Sequence, residues 1–278
     1  MSQQPLAISR NGVIIDPASA RVHVQNPAVM SALGVYETIQ VVAGRPFCLK
    51  AHLARLARSA RGIQLHIPVR EETLAAWADE LIRHAGVEEA LLRILAINGD
   101  DYTDASVYML LHPPRVYPAR LYREGACAVT FEGERALPTA KTLNTLVNFL
   151  ARRKAEAHGC HEGLLVARDG IREGASSNIF VVSNGAIVTP PDHLVIAGVT
   201  RDVVIRLARD AGYRLVFRPL PVAGIPTWEE AFITSTSRHI VPLTRVDGRP
   251  IGDGRVGPVT RRLMDAFEAY FREEIRSR

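Results

Sequence analysis

The chain has 278 residues, 47% of them hydrophobic and 23% charged, enough for a sizeable core in one large domain or two ordinary ones. Its net charge of +5 comes from arginines interleaved with Asp and Glu, with no basic tail and no aromatic-basic stripe, which argues against nucleic acid as a partner. No run of about 18 apolar residues is present to cross a membrane. The opening MSQQPLAISRNG also lacks the apolar stretch of a signal peptide, so the expected location is the cytoplasm.

In chain order, Val35 to Val42 reads as a strand, turned by Ala43-Gly44-Arg45-Pro46 into Phe47-Cys48-Leu49. Helices follow from about Lys50 to Arg61 and from Glu71 to Ala85, the second stopped by Gly86. ALLRILAI from Ala90 and SVYMLLH from Ser106 are apolar strands. The pattern weakens from Arg115 to Gly125, which places a domain junction there and predicts domains of 1–118 and 119–278. Beyond it, Leu143 to His158 carries Leu143, Leu146, Val147 and Leu150 at helical spacing. Asp169-Gly170 and Asn184-Gly185 are hairpin signals, and helices are predicted from Arg201 to Ala211 and from Val259 to about Ile275. Hairpins mixed with helices predict an α+β fold rather than a doubly wound parallel sheet.

Two patterns lead away from chemistry. Gly252-Asp-Gly254-Arg-Val-Gly257 matches the dinucleotide fingerprint, but the strand before it is almost absent and Pro258 follows, so a loop leading into the last helix fits better. Cys48, Cys127 and Cys160 form no C-x-x-C and are odd in number, which predicts reduced thiols packed as small apolar groups. The nine histidines show no metal-ligand spacing, so no metal is expected.

Lysine is scarce. Of 34 basic residues only Lys50, Lys141 and Lys154 are lysines, and a lysine kept where arginine is the rule is a candidate for its amine. Arginine does not deprotonate in a protein and forms no Schiff base, whereas a desolvated lysine does. Lys141 opens KTLNTLVNFLA. Four further fragments are HLARLARSA with Arg55, EGASSNIF with Glu173, GVTRDVV with Thr200, and FITSTSRHIVPL with Thr236. Taken singly, each has a plain structural use, as a helix arginine, a strand carboxylate, a helix cap or a polar turn.

Together they supply what a pyridoxal phosphate site requires: a lysine, a carboxylate for the pyridine nitrogen and a cradle for the phosphate. Val199 and Thr200 at a helix start offer backbone N–H groups and a hydroxyl. Ser235 and Thr236 offer hydroxyls and loop amides, Arg55 a guanidinium fork, and Glu173 the carboxylate.

These fragments, with GVYETIQVVAGRPF and GLLVARDGIREGASSNIFVV, resemble the class IV (fold-type IV) pyridoxal phosphate enzymes. That family includes branched-chain aminotransferases, D-amino-acid aminotransferases, R-selective amine transaminases and aminodeoxychorismate lyase. The resemblance runs from about Val35 to the C-terminus. It implies two domains with the cofactor between them, and a homodimer. It also implies that Lys141 bonds the cofactor, Glu173 pairs with its ring nitrogen, and Arg55, Thr200 and Thr236 hold the phosphate with backbone help from Val199. Ser176, Ser177 and Asn178 fall in the family segment beside the cofactor, and Tyr36 and Arg93 at positions lining the substrate pocket.

Departures concern the substrate. QNPAVMSALG carries no arginine where some relatives bind carboxylate, Thr145 stands where branched-chain enzymes place a tyrosine, and Leu91 replaces another. The loop after Gly99, DDYTDAS, lacks the Arg and His of the D-alanine type. The implied activity is transfer of an amino group from a D- or branched-chain amino acid or an amine to a 2-keto acid, in two half-reactions. Pyruvate elimination from aminodeoxychorismate and a non-catalytic dimeric scaffold are the alternatives.

Overall fold

The structure is a computed structural model and describes residues 4–99 and 104–276. Residues 100–103, part of the loop read as lacking a carboxylate-gripping Arg and His, lie outside the described residues. The chain divides into two compact units. One comprises Met1–Val116, Ala140–Asn144 and Glu274–Arg278; the other comprises Tyr117–Thr139 and Thr145–Glu273.

The first unit contains β1 (Ala7–Arg10), β2 (Val13–Ile15), α1 (Pro27–Met30), β3 (Gly34–Val42), β4 (Arg45–Pro46), α2 (Leu49–Gly62), α3 (Glu71–Ala85), β5 (Ala90–Asn98) and β6 (Ala105–His112). Its strands form one antiparallel sheet in the order β2-β1-β6-β5-β3-β4. The hairpin after β3 returns only through Arg45–Pro46; Phe47 N instead donates to Gln40 O, and the expected strand at 47–49 gives way to the start of α2. β1 and β2 are too short to read from sequence.

The period-2 alternation of β3 sorts its side chains onto two faces. Val35, Ile39 and Val41 are buried with Leu53 and Leu56 of α2, Leu81 of α3, Leu92 and Ile94 of β5 and Met109 of β6. Glu37 shares that face, although it is a carboxylate with no exposure. α2 answers with a second stripe: His52, Arg55 and Ser59, spaced by three and four residues, are all buried. α3 ends with Gly86 in the left-handed conformation, as its sequence predicts. The run Ala140–Asn144 pairs antiparallel with the start of β3, through Tyr36 N to Lys141 O (3.0 Å) and Leu143 N to Gly34 O (2.9 Å).

The second unit contains α4 (Arg120–Arg123), β7 (Ala126–Glu132), α5 (Leu146–Ala157), β8 (Glu162–Ala167), β9 (Gly170–Gly174), β10 (Asn178–Ser183), β11 (Ala186–Thr189), α6 (Val199–Asp210), β12 (Arg214–Phe217), β13 (Glu230–Ser235), β14 (His239–Val246), β15 (Arg249–Pro250) and α7 (Pro258–Arg276), whose last residues belong to the first unit. Its sheet runs β12-β11-β10-β13-β14-β7-β8-β9, with β15 on β14. Both hairpin signals are realised, β8 with β9 and β10 with β11, the latter through Asn184 and Gly185 at positive φ. Three neighbouring pairs are parallel (β11–β12, β14–β7 and β7–β8), so the sheet is mixed.

Two expectations are corrected. α5 starts at Leu146 rather than Leu143, because the backbone of 141–143 is committed to β3. Its expected apolar stripe is also split: Val147 packs inward, but Leu146 and Leu150, with Phe149, are exposed, while Asn148, Ala151 and Ala155 are buried. The second correction concerns the thiols. Cys127 and Cys160 form a disulfide with their Cα atoms 5.0 Å apart, and Cys48 is a buried thiol outside it. The parallel register that sets Ala128 opposite Glu162 brings the two cysteines together. A covalent link across 33 residues constrains the unfolded chain by about 3–4 kcal/mol. Reduction should therefore lower the melting temperature of the wild type, whereas Cys127→Ser should melt early and ignore the reductant. Identical curves with and without reductant would show that the link contributes nothing.

The rejected glycine motif leads into α7 with Pro258 in the first turn. The helix N-terminus is already satisfied by Glu230, whose carboxylate accepts from Val259 N (2.9 Å), Thr260 N (2.7 Å) and Thr260 Oγ1 (2.7 Å). A Cβ on Gly257 would run into that carboxylate. An anion held from within the chain stands where a pyrophosphate would need to be.

Candidate active site

In the first unit, four of the predicted residues gather around β3. Lys141 N donates to Ser59 Oγ (3.0 Å), and its Nζ stands over the Tyr36 ring, 4.5 Å from the centroid. The Arg93 guanidinium packs on the same ring at 4.7 Å. An ammonium and a guanidinium on one aromatic ring are cation–π contacts that hold both heads in place. Arg55, the fourth, is buried in a bidentate pair with Glu37, Nε to Oε1 at 2.7 Å and Nη2 to Oε2 at 2.6 Å. His52 Nδ1 lies 2.8 Å from Glu37 Oε2.

Burial pushes the Glu37 carboxyl up, but the charge and hydrogen bonds of Arg55, with those of His52, outweigh it and hold the group below the usual carboxylate range. Burial lowers His52 more than Glu37 raises it, and Arg55 and Lys141 push the same way. His52 is therefore neutral at pH 7, and its Nδ1–H donates to Glu37.

The second unit holds the remaining eight. Glu173 is buried and pairs with Arg135 Nε at 2.5 Å, while Ile196 N donates to its Oε2 at 3.3 Å. Ser176 and Ser177 both donate to Glu162 Oε2, at 3.3 and 2.9 Å, and Arg238 Nη2 closes this network on Glu162 at 2.6 Å and on Ser176 at 2.9 Å. Asn178 Nδ2 donates to Ile196 O at 2.8 Å. Val199 and Thr200 are buried in the first turn of α6, whose N-cap Gly198 has no side chain to cap it. Ser235 ends β13, and Thr236 opens the turn Thr236–Arg238, which is closed by His239 at φ +54.

The His239 ring packs on Phe267 and Phe271 of α7, at 5.0 and 4.5 Å. Its pKa is lowered by burial, against the opposing charge of Glu268. For His52 and His239 alike, the unfolded chain binds the proton more readily, so stability present above about pH 6.5 is lost as pH falls. The melting temperature should decline from pH 7 to 5. His239→Asn, which tolerates the left-handed backbone, should flatten that slope, and an unchanged slope would remove His239 from the account.

Comparison with known proteins bears on what such groups do. The family described as Amino-transferase class IV matches residues 34–246. The chain belongs to the class IV aminotransferases. This aminotransferase is 33% identical over 278 residues to a putative branched-chain-amino-acid aminotransferase of Methanocaldococcus jannaschii, covering 95% of this chain and 96% of that one. It is 31% identical to the D-alanine aminotransferase of Staphylococcus haemolyticus, covering 94% and 96%. Among solved structures it is similar to the Escherichia coli branched-chain amino acid aminotransferase, with TM-score 0.88, 30% identity and coverage of 95% and 94%. It is equally similar to a second branched-chain amino acid aminotransferase, from T.th., solved with pyridoxamine 5′-phosphate, with TM-score 0.88, 29% identity and coverage of 98% and 95%.

Enzymes of this class work with pyridoxal phosphate, and the residues of the aminotransferase fit it. α6 has no side-chain cap, which leaves its first-turn N–H groups to a ligand, and only glycine fits at 198, where a Cβ would run into Asn178 Oδ1. Thr234 Oγ1 is buried without a hydrogen-bond partner among the described residues. Glu173 is a buried carboxylate, the kind of group a pyridinium nitrogen requires.

Sequence reading missed Glu37, Arg135, Glu162 and Arg238. Glu37 left one trace, a carboxylate at an inward position of an otherwise apolar alternation. The pairings of the other three depend on sheet register and had no local signal.

Proposed function

We propose that this class IV aminotransferase moves an amino group from an α-amino acid, of the branched-chain or the D-series, to a 2-keto acid, with Lys141 as the catalytic amine. The observation that carries this reading is the placement of Lys141. Its backbone is stitched to β3 and to Ser59, and its amine lies on the Tyr36 ring beside a second cation, Arg93.

When bound, pyridoxal phosphate supplies an aldehyde to bond amines and a ring that takes up the electron pair left by proton removal. Lys141 is the attachment point and then the base and acid that moves the substrate Cα proton. Glu173, paired with Arg135, holds a proton on the ring nitrogen. Arg55, Ser235, Thr236 and the first-turn N–H groups and hydroxyl of Val199 and Thr200 hold the phosphate. Ser176 and Ser177 act through Glu162 and Arg238, and Asn178 through Ile196, as supports of this segment. Arg93 binds the substrate carboxylate, with Tyr36 fixing its plane.

A panel of D- and L-amino acids with 2-keto acids tests the reading, scored by the near-visible band of the bound cofactor. One series should bleach it, and a keto acid should restore it. Pyruvate release without need of a keto acid would identify a lyase instead.

The outward stripe of α5 supports a homodimer. Leu146, Phe149 and Leu150 are 65%, 53% and 44% exposed, an apolar row that a second copy would cover. Phe149→Glu should halve the mass seen by sedimentation at micromolar concentration. An unchanged mass in the variant, or a monomeric wild type, would rule this face out.

A further inference from the structure

Glu37 lies at the centre of β3 with no exposure to water, and its two oxygens take three hydrogen bonds from two side chains one turn apart on α2. A buried ion pair is a poor way to stabilise a core, because desolvation of the two groups offsets their attraction. What it supplies is direction. Arginine is long and rich in rotamers, and a fork–fork pair through Nε and Nη2 fixes the guanidinium plane before any ligand arrives.

The sheet makes this geometry specific. Residue 37 shares its face with Val35, Ile39 and Val41, against α2, whereas Tyr36, the residue before it in the strand, carries the lysine amine on its ring. One stretch of β3 thus orients both cations assigned to the cofactor. We infer that Glu37 is a positioning residue that sets the plane of the Arg55 guanidinium for the cofactor phosphate, with His52 fixing the carboxylate in turn. The inference rests on the phosphate role proposed above for Arg55.

Glu37 can act on a bound phosphate in two opposed ways. As a negative charge it repels the anion, so its loss through space alone would tighten binding. As the holder of Arg55 it preorganises a donor, so its loss would weaken binding. The test compares dissociation constants of the apo-enzyme for pyridoxal phosphate and for pyridoxal, which has no phosphate. Glu37→Gln, which keeps shape and removes charge, should weaken pyridoxal phosphate about tenfold and leave pyridoxal within about twofold. Equal or tighter binding of pyridoxal phosphate would overturn the inference, as would an equal loss for both vitamers.

A double variant isolates the coupling. In an Arg55→Lys background, Glu37→Gln should change the ratio of the two constants by less than about twofold. A full tenfold effect there would show that Glu37 acts by another route. If Arg55→Lys alone leaves the ratio at the wild-type value, the phosphate role of Arg55 fails, a result distinct from a silent Glu37 beside a responsive Arg55. Should Glu37→Gln fail to fold, His52→Leu carries the test. Removing one donor to Glu37 should weaken pyridoxal phosphate, but not pyridoxal, by about threefold, and no selective loss would overturn the inference.

Discussion

Lys141→Ala should abolish transamination, lowering the rate of either half-reaction by about four orders of magnitude or more, while the apo-protein melts as the wild type does. Two features separate this lysine from Lys50 and Lys154. Both of those are exposed on helices, whereas Lys141 is half-buried with its amine on an aromatic ring. The hydrogen bonds that hold its run to β3 and to Ser59 are made by backbone atoms of residues 141 and 143, and truncation of the side chain leaves them intact. Lys141→Arg should fail as completely, since a guanidinium keeps its charge and makes no covalent bond to an aldehyde. Borohydride treatment of the loaded wild type followed by peptide mass analysis should find the cofactor on Lys141. A label on either other lysine, or an alanine variant with a tenth of wild-type activity, would end the assignment.

The second large effect belongs to Glu173, and the structure decides which substitution is informative. Glu173→Ala strips the buried Arg135 guanidinium of its carboxylate, and breaking a buried pair from one side costs about 3–5 kcal/mol. Loss of activity in that variant would mix chemistry with folding. Glu173→Gln keeps an oxygen for Arg135 and removes the charge proposed to hold a proton on the ring nitrogen. It should bind cofactor yet slow Cα proton removal by about two to three orders of magnitude, measured in single turnover with a deuterated donor. An unchanged rate, or a rate that falls only as far as cofactor occupancy falls, would take Glu173 out of the mechanism.

What can be read in advance follows the range of the interactions involved. Helices α2, α3, α6 and α7 and the two hairpins are coded by local spacing and turn residues, and the structure has them within a residue or two of the sequence reading. Lys141 stands out as a candidate through lysine scarcity and its motif. The errors share one cause. Spacing to Leu146 and Leu150 puts Leu143 in a helix, yet its backbone is held by Gly34, far earlier in the chain. Cys127 and Cys160 carry no local sign of pairing, because only the β7–β8 register makes them neighbours. An apolar helical stripe suggests a buried face, whereas in α5 it is Asn148 that faces in and donates to Ala175 O. Spacing tells which residues share a face, and only the tertiary fold tells what that face meets.

The pairing of residues 141–143 with β3 also bears on dissection. A gene cut at the junction expected from the sequence, after residue 118, would give an N-terminal fragment with Tyr36, Glu37 and Arg55 but without Lys141. The C-terminal fragment would carry Lys141 on an unanchored tether. Mixing the two pieces, rather than assaying either alone, is the only split-protein format in which turnover should reappear.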